Sequence, residues 1–179
     1  MKTAADAISA FLAAVPGPIG DAEEARTPER VAAFWTENLL AGYAVDPKQV
    51  LAERIVDRGG AVVTLTHVPF HAVCPHHLIP FFGVVHLAYE PDGHIVGLGA
   101  LEQLVFALSR RRVLQEALCA ELVDALITHL GARGAACAIE AQHLCLILRG
   151  REPRGARVAT RLARGSLRDR TDILPPMTA

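Results

Sequence analysis

Apolar positions recur along this chain in two rhythms, and the changes of rhythm mark its elements. From Leu101 to Leu130 they fall at helical spacing: Leu101, Leu104, Val105 and Leu108, then Leu114, Leu118, Leu122, Ala125, Leu126 and Leu130. Steps of three and four residues place one apolar stripe along a helix. The stripe is interrupted by Arg110-Arg111-Arg112, so a bend is expected near Ser109 to Arg112, and Gly131 is the expected stop. An earlier helix is expected to start with Thr27 as N-cap and Pro28 at the first helical position, and to run to about Leu40 before Gly42. Met1 to Val15 reads as a short amphipathic helix. The strand-like segments are Val62 to Thr66 and Phe82 to Tyr89, the second closing at the turn Glu90-Pro91-Asp92-Gly93. Ala136 to Ala141 then runs as a strand into His143, and Cys145 to Leu148 is expected to continue it. This order of elements predicts an α+β layer, with helices covering an antiparallel sheet.

Composition narrows the class. A chain of 179 residues suits one domain with a real core. It is 51% hydrophobic but only 5% aromatic, so that core is built from Ala, Leu and Val. No apolar run approaches the roughly 20 residues that span a bilayer, and no signal peptide is evident, which points away from membranes and towards the cytoplasm. Four cysteines make no disulfide framework. Cys119 and Cys137 fall in a predicted helix and a predicted strand and read as small core residues. A net charge of -1 argues against general nucleic-acid binding. The chain divides into an N-terminal helix and linker (1–26), a main domain (27–167) and a charged, then proline-rich tail (168–179) that is expected to be mobile.

The remaining two cysteines carry the candidate chemistry. Cys74-Pro75-His76-His77 and the distant His143-Leu144-Cys145 together offer two thiolates and an imidazole, three corners of a tetrahedral zinc site whose fourth corner can stay open to water. His76 and His143 are left over, and spare imidazoles titrate near neutrality, where they can move protons beside a metal. Spacing alone leaves a second reading open, in which the thiols are buried structural residues beside a satisfied histidine.

The run from Cys74 to Gly83, Cys-Pro-His-His-Leu-Ile-Pro-Phe-Phe-Gly, closely resembles the signature of GTP cyclohydrolase I. Further blocks follow in that family's order: residues 27–32, 95–98, 113–116, 139–145 and 149–150. The likeness extends from about Thr27 to Leu167. It implies the tunnelling fold, in which subunit sheets join into a barrel and two pentamers stack as a homodecamer. It implies that Cys74, His77 and Cys145 hold Zn2+, that His76 and His143 transfer protons, and that Gln115 and Glu116 read the guanine edge. Arg30, Arg111 and Arg149 match positions that the family places around the triphosphate. The implied reaction is zinc-dependent hydrolysis at carbon 8 of a guanine-containing small molecule, opening its imidazole ring.

Departures from the pattern bear on the substrate. Where the family has Ser, Lys, Arg and a further Lys, this chain has Gly99, Ala100, Gln103 and Ala33. Three cations are missing from the phosphate set, and each charge-assisted contact is worth about 1.5–3 kcal/mol. Arg110, Arg112, Arg151, Arg154 and Arg161 are candidate replacements. A substrate with fewer phosphates than GTP is therefore expected, namely GMP, guanosine or guanine. The alternatives are an ordinary GTP cyclohydrolase I making 7,8-dihydroneopterin triphosphate, and a non-catalytic zinc-containing assembly partner, which the intact His76 and His143 disfavour. The cysteine and lysine motif of the related nitrile reductase is not apparent. Pro75 replaces the usual glutamate, removing a backbone donor and a carboxylate beside the ligands.

Overall fold

In chain order the helices of this computed structural model are α1 (Ala4–Ala14), α2 (Thr27–Phe34), α3 (Pro47–Val50), α4 (Leu98–Ser109), α5 (Gln115–Ala125) and α6 (Leu144–Ile147). The strands are β1 (Ile55–Val56), β2 (Val63–Val73), β3 (Pro80–Glu90), β4 (His94–Ile95), β5 (Gly134–His143) and β6 (Val158–Gly165). The residues described are 3–15, 17, 24–149, 156–170 and 172–176. The long strands form an antiparallel sheet in the order β2-β3-β5-β6, while β1 and β4 pair as a separate ribbon. Helices and antiparallel sheet make the α+β architecture expected from the sequence.

Strand alternation sends Phe81, Val85, Leu87 and Tyr89 of β3, with Cys137, Ile139 and Ala141 of β5, into one core. Leu101, Leu104, Val105 and Leu108 of α4 and Leu118, Leu122 and Val123 of α5 close it from the helical side. The other face carries Ala88, Ala136 and Ala138 beneath Leu167 and Leu174. Cys119 and Cys137 are both buried, as read from the sequence.

The bend in the long helical region falls between α4 and α5, and it does more than turn the chain. The amide of Val73 donates to the Arg111 carbonyl at 3.0 Å, and the amide of Val113 donates back to the Val73 carbonyl at 3.1 Å. These bonds tie the end of β2 to the start of α5, so residues 113–116 stand beside Cys74. α5 runs on into a π-helical turn, Leu126–Leu130, with Gly131 left-handed at φ 84°.

Several expectations are corrected. The segment from Cys145 to Leu148 is no strand: α6 begins at Leu144, and the Leu148 amide donates to the Leu144 carbonyl at 2.9 Å. Phe81 against His143 is the last register pair of β3 with β5, so a longer strand would find no partner. The backbone satisfies itself with one helical turn instead. The last strand is β6, whose interleaved arginines and alanines hide the alternation. Thr27 is the first residue of α2 and Arg26 its cap, with no side-chain capping bond. The helix also stops at Phe34 and continues as a π-helical turn to Leu39 and a 3-10 turn over Ala41–Ala44. In the tail expected to be mobile, Leu174 is 5% exposed and packs with Leu167 against the sheet.

Candidate active site

Cys74 and His77 share one tight turn between β2 and β3. The Leu78 amide donates to the Cys74 carbonyl at 2.9 Å, and the Cys74 amide donates to the Ile79 carbonyl at 3.1 Å. Closing the turn forces Leu78 to φ 54°, a left-handed conformation that costs a non-glycine residue on the order of 1–3 kcal/mol. Pro75 sits inside the turn, where the amides of Cys74 and Leu78 make its closing bonds, so its missing N–H removes neither. From the other side β5 delivers His143 opposite Phe81, and the first turn of α6 swings Cys145 inward.

Folding therefore brings the ligand atoms of Cys74, His77 and Cys145 within 4.8 Å of one another. Cys74 and Cys145 are buried and His77 is exposed. The Cys74 Sγ lies 3.7 Å from His77 Nδ1. Burial, reinforced by the neighbouring Cys74 thiol, pushes Cys145 above the ordinary thiol value. Forming the Cys145 thiolate beside Cys74 is therefore unfavourable unless a cation lies nearby. Two soft thiolates and one imidazole fit zinc and leave a coordination position to fill.

These three residues form part of the wall of a cavity of about 440 Å3, also lined by His76, Phe81, Val113, Leu114, Gln115, Glu116, His143, Leu146 and Val158. Seven of the residues singled out from the sequence thus meet in one place: Cys74, His76, His77, Gln115, Glu116, His143 and Cys145. The His143 ring stacks on Phe81 with centroids 4.4 Å apart and planes 6° from parallel. Its Nε2 lies 2.8 Å from Gln115 Oε1. Burial lowers the His143 pKa, against an opposing pull from the Glu116 carboxylate. Glu116 is exposed in the first turn of α5, while Gln115 beside it is buried at 2%. Phe81 and Val158 were not read from the sequence as site residues. Phe81 stands inside the signature and was legible there, whereas Val158 arrives from β6 with no local signal.

The arginines are placed differently from one another. Arg149 lies against Nε2 of His77. Arg111 is not in the cavity wall: its guanidinium donates to the carbonyls of Gly42 and Val45 at 3.3 and 3.4 Å. Arg30, on α2, is not in that wall either. Among the replacement candidates, Arg110 stacks over Phe106 at 4.0 Å and Arg161 donates to the Pro175 carbonyl at 2.5 Å. The Arg112 side chain is exposed, and Arg151 and Arg154 lie outside the described residues. Gly99 and Gln103 line a second cavity of about 340 Å3 together with His71, Glu102, Ser109 and Arg110.

The family model for GTP cyclohydrolase I matches residues 4–174, nearly the whole chain. The chain belongs to the GTP cyclohydrolase I family. Among curated relatives, GTP cyclohydrolase 1 of Ralstonia nicotianae is 41% identical over 149 residues, covering 83% of this chain and 71% of that protein. GTP cyclohydrolase 1 of Campylobacter lari is 39% identical over 142 residues, covering 79% and 74%. The enzyme of the same name from Streptococcus pyogenes serotype M1 is 36% identical over 157 residues, covering 85% and 80%. Among solved structures, an archaeosine synthase in its apo form matches 60% of this chain and 97% of that one at 16% identity, with a TM-score of 0.46 that is too low to bear on function. This GTP cyclohydrolase I family member is thus a hydrolase acting on a cyclic amidine bond, built on the α+β fold of its family. Among its described residues no helix is long and apolar enough to cross a membrane.

Proposed function

We propose that this family member hydrolyses a guanine-containing substrate at carbon 8 and opens its imidazole ring, with zinc held by Cys74, His77 and Cys145. The observation that carries the reading is the convergence of those three ligands with His76, His143 and Glu116 in one cavity. Zinc, when bound, supplies Lewis acidity and brings the pKa of a coordinated water towards neutrality. Glu116 accepts from the ring N–H and the amino group of guanine, donors that adenine does not present together. His143, held flat on Phe81, transfers the proton at nitrogen 7, and His76 serves the later steps. A guanidinium has only donors, so Arg149 faces the lone pair of His77 Nε2 while Nδ1 keeps its proton. Arg149, beside His77 at the metal site, would be placed to meet an anionic part of the substrate.

The substrate in this reading carries fewer phosphates than GTP. Support comes from Gly99, Ala100 and Gln103 at the start of α4, from the uncharged Ala33, and from Arg111, whose guanidinium is taken up by backbone carbonyls. GTP itself is the second reading, favoured by relatives about 40% identical that are named GTP cyclohydrolase 1. Incubating zinc-loaded protein with guanine, guanosine, GMP and GTP, and identifying products by mass, separates them. Ring opening adds one water, and loss of formate marks a second hydrolysis. A preference for GTP above about 100-fold, roughly 2.7 kcal/mol, decides for GTP. Failure to open any of the four rings removes the catalytic reading.

The proposal includes a cytoplasmic homo-oligomer, a decamer of two pentamers. β2 and β6 end the sheet order, and each offers an edge that a second copy can extend. A monomeric mass by sedimentation would overturn this.

A further inference from the structure

The side chain of Gln115, which lines the cavity, is held by hydrogen bonds within the fold. Its Nε2 lies 3.3 Å from the Ile139 carbonyl, 3.0 Å from the Val158 carbonyl and 3.0 Å from Thr160 Oγ1. Two of these three are carbonyl oxygens, which only accept, so the amide nitrogen must face them and the amide cannot be flipped. That leaves Oε1, also acceptor only, facing His143 Nε2 at 2.8 Å. A contact this short between an amide oxygen and an imidazole nitrogen holds only if the nitrogen carries the proton. Gln115 is only 2% exposed, and the arrangement is set by β5 and β6.

We infer that Gln115 is a positioning residue that fixes His143 as its Nε2–H tautomer, leaving Nδ1 as the nitrogen that exchanges protons with substrate. Phe81 holds the plane of the ring by stacking, and Gln115 holds its rotation within that plane. Neither restraint suffices alone, since stacking permits ring flips and one hydrogen bond permits tilt. The anchor reaches across the fold: Gln115 begins α5, its acceptors sit on β5 and at the start of β6, and the ring it orients ends β5. Guanine reading then falls to Glu116 alone of the adjacent pair. This role rests on the proposed function for its kinetic consequence, but the tautomer itself does not.

Two measurements test it separately. In metal-loaded protein labelled with 15N-histidine, long-range 1H–15N spectra report which nitrogen of His143 is protonated; the neutral ring should show Nε2–H. An Nδ1–H ring would overturn the inference whether or not the protein turns over any substrate. In the second, Gln115→Met removes the acceptor at similar volume and should lower kcat by about 10- to 100-fold, the usual cost of losing an orienting partner. KM for the guanine substrate and bound metal should hold, and the His143 signals should split between tautomers. A raised KM with unchanged kcat in Gln115→Met would instead make Gln115 a guanine reader. Should the Met variant fail to fold, the wild-type spectrum decides.

Discussion

At the scale of single residues, donor chemistry decides what each position can do. Cys145 is one of two thiols in the ligand set, and a serine there substitutes a hard, weakly acidic hydroxyl for a soft thiolate. Cys145→Ser should lose most of the bound zinc, from about one ion per subunit in the parent, as read by metal analysis after dialysis; full occupancy would mean that the ligand assignment is wrong. His143 is not in the ligand set, so His143→Ala should keep its zinc while turnover falls by about 10²–10⁴-fold, the range for a positioned acid or base. Near-normal rates in metal-loaded His143→Ala would move the proton transfer elsewhere. Glu116→Gln replaces two acceptor oxygens with one acceptor and one donor. It should cost about 1.5–3 kcal/mol towards guanine substrates, on the order of 10- to 100-fold in kcat/KM. Equal guanine affinity by calorimetry would count against Glu116 as the reader.

Elements set the tolerances within which those residues meet. The site hangs between the N-terminal end of β3 and the C-terminal end of β5, so the spacing of these two strands fixes how far the turn carrying Cys74 and His77 lies from the pair His143 and Cys145. Gly83 is where the spacing is tightest: a Cβ built there would come within 1.9 Å of the Glu140 carbonyl oxygen and 2.7 Å of the Ala141 Cα. Both are backbone atoms of β5, which cannot swing aside as a side chain would. Gly83→Ala should therefore push the strands apart and destabilise the fold by about 1–3 kcal/mol, with weaker zinc retention. Thermal unfolding and metal analysis of that variant read both effects. An unchanged melting temperature together with full zinc would show that the sheet absorbs the methyl group elsewhere.

On the scale of the whole molecule, the question is charge around the bound substrate. The first turn of α4 carries Gly99 and Ala100, with Glu102 and Gln103 following, so it contributes one negative charge and no positive charge to the second cavity's wall. An Ala100→Lys, Gln103→Arg double variant should raise affinity for GTP relative to guanosine, and the gain should shrink as salt screens the new charges. Binding titrations at low and high ionic strength measure it. No gain at low salt would mean that α4 does not face the phosphates in the assembled protein.

The helical stripe from Leu101 to Leu130, the turn before Gly93, the cores of three long strands and the ligand clusters were all legible in the chain, because each is written in local spacing or in local chemistry. The motif blocks were equally plain, since Cys74 to Gly83 and Ile139 to Cys145 are continuous runs. What the spacing could not express was decided by neighbours. Cys145 leaves the sheet for α6 because β3 ends at Pro80 and offers no further partner, a fact of strand register and not of residues 145–148. Arg111 matched a phosphate position by motif, and the fold sets its guanidinium against the carbonyls of Gly42 and Val45 beside the 3-10 turn Ala41–Ala44. Gln115 and Glu116 adjoin in the motif and both line the cavity, but consecutive residues on a helix point about 100° apart, so the first is buried against β5 and β6 while the second is exposed. Sequence determined which chemistry this protein carries; only the packing of α5 against β5 and β6 decided which of its side chains are free to perform it.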